Sequence, residues 1–214
     1  MPARPLTTTH YALLCLLSIA SASAYELVAQ MQRSVGAVWP RAESNLYTDL
    51  KRLASDGLAK TTLEHVGRRP RTTFRITPAG RRVLAKWLEL PGAAPTFECE
   101  ALLKLAFATM TTKEAALAHV AVMKDHAEAR VAIGRRLATE YVDGSGPLPE
   151  RLHINAVMWR YLWDMHNATA NWAAWAANEI EAWPDTSDNP NGRRRGLETL
   201  RRALDAAVGP SRTG

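Results

Sequence analysis

Leu46-Tyr47-Thr48-Asp49-Leu50-Lys51-Arg52-Leu53-Ala54-Ser55-Asp56-Gly57-Leu58 constrains this chain more than any other stretch. Leu46, Leu50 and Leu53 fall at i, i+4 and i+7, which places them on one stripe of an α-helix. Ser44, Thr48 and Lys51 then point the opposite way, with Asn45 and Tyr47 on the flanks. Gly57 stands where a left-handed stop is needed, and Leu58 restarts an apolar pattern beyond it. The result is a short helix with a buried leucine edge and an exposed polar, basic face.

The residues that follow give this helix a context. Leu58–Leu63 and Thr72–Ile76 are short, β-branched and roughly alternating, so both read as strands. Between them His65-Val66-Gly67-Arg68-Arg69-Pro70-Arg71 reads as a hairpin tip with three arginines and two turn formers. Thr77-Pro78 announces another helix, with threonine as N-cap and proline at the first helical position. Helix, strand, basic tip, strand, helix is the order of a winged helix-turn-helix, whose exposed helix is shaped for a DNA major groove. A small α+β domain with a solvated hairpin would account for the arginines alone, but not for their position directly after such a helix.

These residues resemble the PadR-type transcriptional regulators. The resemblance runs from Leu6 to about Leu90. It includes Leu6-Thr7, Tyr11-Ala12-Leu13-Leu14, Ala24-Tyr25-Glu26-Leu27, Trp39, and Leu46-Tyr47-x-x-Leu50-x-x-Leu53-x-x-x-Gly57-Leu58. It closes with Gly67-Arg68-Arg69-Pro70-Arg71, Phe74-x-Ile76-Thr77-x-x-Gly80-Arg81 and Trp87-Leu88. Three positions depart from the family: Ala24 where glycine is frequent, Phe74 where tyrosine is usual, and Ala42 where a serine or threonine cap is common. The resemblance implies a cytoplasmic, homodimeric DNA-binding regulator of transcription, expected to be a repressor. Its ligand would be a near-palindromic double-stranded operator. Ser44, Asn45, Tyr47, Thr48 and Lys51 would meet the major groove or its phosphates, and Arg68, Arg69 and Arg71 would reach backbone or minor groove from the wing.

The charge distribution agrees. Residues 1–91 carry 13 Lys+Arg against 6 Asp+Glu, a net +7, whereas residues 92–214 carry 14 against 15, a net −1. The basic excess therefore sits on the half with the groove-shaped helix. Residues 1–24 have a rival reading as a secretory signal, with Arg4, the apolar run Tyr11–Ala20 and a small-residue site Ala22-Ser23-Ala24. That reading would make the product a secreted helical protein. The preferred one makes Leu13, Leu14, Leu16 and Leu17 a core helix, with Ser21-Ala22-Ser23 as turn and N-cap for a helix over 24–33. Two cysteines, Cys15 and Cys99, provide no disulfide framework, and no other stretch is long and apolar enough to cross a bilayer, so no membrane partner is expected.

Beyond Pro91-Gly92-Ala93-Ala94-Pro95, a linker by composition, strand signals vanish. The spacing predicts a short helix over 97–108 and a long one over 112–141 opened by a Thr111-x-x-Glu114 capping box. A second long helix follows over 150–183, and a basic amphipathic one over 193–208. The fold class is thus mainly α: a winged helix-turn-helix at 1–91, with three to four helices and a two-stranded wing, and an all-α dimerisation domain at 97–208. Long helices with unsatisfied faces need a partner, and a second copy is expected. Trp159 and Trp163 share a face at i, i+4, as do Trp172 and Trp175 at i, i+3. They read first as packed interface core. The alternative is a pocket at Met158, Trp159 and Trp163 for a small aromatic effector, which some members of the resembled family bind. The six histidines lack metal-ligand spacing and no nucleophile motif or phosphate loop occurs, so neither an enzyme nor a cofactor is expected. The remaining alternative is a winged-helix module that docks proteins without touching DNA.

Overall fold

The computed structural model describes residues 5–33, 35–66 and 69–207. The chain divides into two compact units, Met1–Pro95 and Thr96–Gly214. The first contains α1 (Thr8–Ile19), β1 (Ala22–Ser23), α2 (Ala24–Arg33), α3 (Glu43–Ser55), β2 (Ala59–Val66), β3 (Arg69–Ile76) and α4 (Pro78–Leu88). The strands form one antiparallel sheet in the order β1-β3-β2, with Ala22 opposite Phe74 and Ala59 opposite Ile76. The two-stranded wing expected from the alternation has a third strand. Two residues are too few to show a period, so β1 exists only because β3 offers it a free edge.

The core of this unit is built by the leucine stripes. Leu13, Leu14, Leu27, Leu46, Leu50 and Leu53 are fully buried, and Phe74, Ile76 and Leu84 close the core from sheet and α4. The apolar run that resembles a signal sequence lies inside α1 from Tyr11 to Ile19, with Ala20 as the C-cap, and Leu13, Leu14 and Leu17 pack among the others. Ser23 and Glu26 form a reciprocal cap on α2. The Ser23 amide donates to the Glu26 carboxylate at 2.9 Å, and the Glu26 amide donates to the Ser23 hydroxyl at 3.3 Å. A buried histidine ties α1 to α3. The Thr7 amide donates to His10 Nδ1 at 3.1 Å, so the ring hydrogen lies on Nε2, which faces the Asp49 carboxylate at 3.4 Å.

The second unit consists of α5 (Glu100–Ala106), α6 (Lys113–Val142), α7 (Leu152–Glu181) and α8 (Pro190–Ala207). Helices α6 and α7 are antiparallel. Lys113 meets Glu181, His126 meets His166, Gly134 meets Trp163, and Tyr141 meets Trp159 along their length. Their seam is mostly small: Ala116, Val120, Ala173, Ala176 and Ile180 are buried, flanked by Leu117 and Trp172. Two corrections apply. The cap of α6 is Thr112, whose hydroxyl accepts from the Ala115 amide at 3.2 Å, one residue after the expected Thr111. Helix α8 begins a turn earlier than expected, because Asn189 caps it by accepting from the Gly192 amide at 2.7 Å. No helix among the described residues is long and apolar enough to cross a membrane.

Candidate nucleic-acid interface

Helix α3 separates its residues into two chemically distinct faces. Leu46, Leu50 and Leu53 have no exposed surface, while Ser44, Asn45, Tyr47, Thr48 and Lys51 are all exposed. The helix opens at Ala42 without a side-chain cap, as an apolar residue there requires. Its end is firmly made. The Leu58 amide donates to the Leu53 carbonyl at 2.9 Å and the Gly57 amide to the Ala54 carbonyl at 3.1 Å, with Gly57 at φ +70°. This is a Schellman stop, which needs a residue in the left-handed region at Gly57. It also fixes the direction in which the chain leaves the exposed helix for the wing.

The wing is held from both ends. At its base, the Thr77 hydroxyl accepts from the Gly80 amide at 3.0 Å and donates to the Gly57 carbonyl at 2.7 Å. Gly80 lies so close to the wing that a Cβ there would come within 2.2 Å of the Leu58 carbonyl oxygen. Further out, the Arg71 guanidinium is paired with Glu26. The Glu26 carboxyl is held below its ordinary range, first by the Ser23 amide, then by the Ser23 hydroxyl and Arg71. Arg71, expected to reach DNA backbone or minor groove from the wing, is thus held by Glu26 within the unit. It lies two residues from Thr73, which is opposite Ser23, so strand alternation turns it toward the start of α2. Arg69 pairs with Val66 at the far end of the ladder, while Arg68 lies outside the described residues.

Other basic residues line this unit that the motif reading did not single out. Lys60 and Arg75 are directly opposite across β2 and β3 and both are exposed. Like charges at opposed positions repel unless an anion lies over them. Arg41 lies over the Trp39 ring, 4.2 Å from its centroid. The Ser23-x-x-Glu26 pattern was a legible capping signal, but nothing local links Glu26 to a residue 45 positions away.

In the helical unit, Met158, Trp159 and Trp163 are placed by the α6–α7 pairing. Trp159 meets Tyr141 edge-on with ring centroids 5.1 Å apart, and Trp163 lies against Gly134, where a Cβ would approach its ring to 3.1 Å. Both rings are therefore engaged within one chain, and Met158 retains 37% of its surface.

Residues 13–86 match the transcriptional regulator PadR-like family. A probable transcriptional regulator of Mycobacterium tuberculosis is 31% identical over 83 residues, which cover 38% of this chain and 43% of that protein. The chain thus aligns with less than half the length of that relative. In fold, it is similar to Bacillus subtilis PadR crystallised with operator DNA, with a TM-score of 0.70 at 19% identity over 83% of this chain and 99% of that one. The same protein crystallised with p-coumaric acid gives a TM-score of 0.61 at 18% identity, over 82% and 99% of the two chains. The likeness is thus of two kinds: residues 13–86 are similar to the PadR-like family of transcriptional regulators, and the chain is similar in fold to PadR structures.

Proposed function

We propose that the chain is a cytoplasmic transcription regulator that binds an operator as a homodimer and represses by occluding a promoter. Residues 1–91 would read the DNA and residues 97–208 would hold two copies together. The observation that carries this reading is the division of α3: three leucines buried in the core and Ser44, Asn45, Tyr47, Thr48 and Lys51 turned outward. Arg69 joins them from the wing, with Arg68 beside it in sequence, while Arg71 supports the wing through Glu26. The neighbour crystallised with operator DNA supports the same use of the fold.

Ile154, Val157 and Tyr161 form an exposed apolar edge on α7 at i, i+3 and i+7, which supports a second copy as the partner of this unit. A two-fold dimer places its reading helices on half-sites about one helical turn apart, so the operator is a near-palindrome. Control by a small aromatic effector at Met158, Trp159 and Trp163 belongs to the same proposal, supported by the neighbour crystallised with p-coumaric acid. Such a ligand releases DNA only if it binds the DNA-incompetent arrangement more tightly.

The deciding experiment is to sequence duplex fragments retained by the purified chain, then to measure their binding against salt. The expected result is an enriched near-palindrome, bound with a steep salt dependence and weakened by about 1–3 kcal/mol in Lys51→Ala if that residue meets a base edge. Full, salt-insensitive affinity in a Lys51→Ala, Arg69→Ala double variant would overturn the assignment. A protein-docking module would retain no duplex at all. Saturable tryptophan quenching by aromatic acids, followed by operator release, tests the effector.

A further inference from the structure

The loop between α2 and α3 carries a cation that is positioned before any ligand arrives. Arg41 is exposed, yet its guanidinium is stacked 4.2 Å from the centroid of the Trp39 ring and donates from Nη1 to the Pro40 carbonyl at 2.7 Å. Trp39 is itself anchored, because its Nε1 donates to Oγ1 of the buried Thr9 at 3.2 Å. Arginine therefore rests on an aromatic plate bolted to α1, and loses less freedom on meeting an anion than a free surface arginine would.

The surroundings place this cation beside the reading helix. Trp39 and Arg41 line one groove with Asn45 and Thr48 from α3 and with the hydroxyl-bearing Thr8 at the start of α1. Asp49 also lines it, but its carboxylate faces the imidazole of His10. Glu43, at the first position of α3, accepts from Gln32 at 2.7 Å. Both acids near the groove thus have partners of their own, while the stacked guanidinium keeps donors turned to solvent.

We infer that Arg41, stacked on Trp39, binds a DNA phosphodiester next to the bases that α3 reads. This rests on the proposed DNA-binding function and adds a residue to it: Arg41 contributes register and affinity but no sequence preference. Trp39 acts through Arg41 as a positioning residue.

The test uses the full-length chain with its selected duplex and a scrambled duplex of equal length, titrated by fluorescence anisotropy between low and moderate salt. Arg41→Ala should weaken both duplexes by the same factor and reduce the log–log salt slope by about one. Arg41→Lys should keep the slope while losing part of the affinity, because the charge remains and the planar stack does not. Trp39→Leu should weaken binding in the Arg41 background and have no further effect in Arg41→Ala. An unchanged affinity and slope in Arg41→Ala, while the wild-type chain binds and Lys51→Ala binds more weakly, would overturn the inference alone. A loss confined to the selected duplex would also overturn it, since that is the mark of a base contact. If the wild-type chain binds neither duplex, the DNA-binding reading falls and takes this inference with it.

Discussion

Two glycines flank the same residue, Leu58, and are required for different physical reasons, which a pair of substitutions separates. Gly57 has φ +70° with open space where a Cβ would lie, so a side chain there meets nothing within 4 Å and only the backbone objects. Forcing an alanine into the left-handed region costs about 1–2 kcal/mol, partly offset by the smaller entropy of the unfolded chain. Gly57→Asn should cost markedly less although asparagine is larger, because its short amide tolerates this region. Gly80 is the opposite case. Its Cβ would lie 2.2 Å from the Leu58 carbonyl oxygen and 2.9 Å from Ile76 Cγ1, so α4 must shift to admit one methyl group. Overpacking against backbone places Gly80→Ala toward or beyond the upper end of the usual 1–3 kcal/mol, with Gly80→Asn worse still. Hydrogen exchange read by peptide on the full chain measures this locally. Segments spanning α3 and β2 should exchange faster by a factor of roughly 5–30 for a loss of one to two kcal/mol, while segments in α6 and α7 keep their rates. The reasoning fails if Gly57→Asn is as damaging as Gly57→Ala, or if Gly80→Ala is harmless.

Three further outcomes are expected. Leu50→Ala removes a fully buried side chain shared by α3 and the core, and should cost about 2–5 kcal/mol in urea unfolding of the first unit; a loss under 1 kcal/mol would contradict the packing described. Thr112→Ala should cost the helical unit about 1 kcal/mol as a lost cap, whereas Thr111→Ala, whose side chain caps nothing in α6, should be nearly neutral; the reverse order would restore Thr111 as the cap. Burial foremost, then Arg130 and His126, holds the His166 imidazole below its ordinary range of 6.5. The unfolded chain therefore takes up the proton first, and stability that is whole above that range is lost as pH falls through it toward the folded value. His166→Phe should flatten this acid-side loss in urea midpoints compared between about pH 7.5 and 5.5; an unchanged profile would assign the loss to other groups.

Much of this protein was legible because its local signals agree with one another. The α3 leucine stripe, the stop at Gly57, the Thr77-Pro78 start of α4 and the linker at 91–95 each rest on contacts within a few residues, and such contacts are written in order along the chain. The bounds of α2 follow from its cap for the same reason, and those of α6 and α7 lie within two residues of the expected ones. Only the tertiary structure could decide the rest. β1 forms because β3 presents an unpaired edge to it, and Arg71 is claimed by Glu26, 45 positions earlier. Trp159 and Trp163 face α6 because an antiparallel pairing of alanine-rich seams sets which side of α7 is covered. The stacked Arg41 depends on Thr9, 30 positions before the tryptophan it holds. Sequence spacing reports which side chains share a face, but the neighbour that covers a face comes from another part of the chain, and only the packed core determines which one that is.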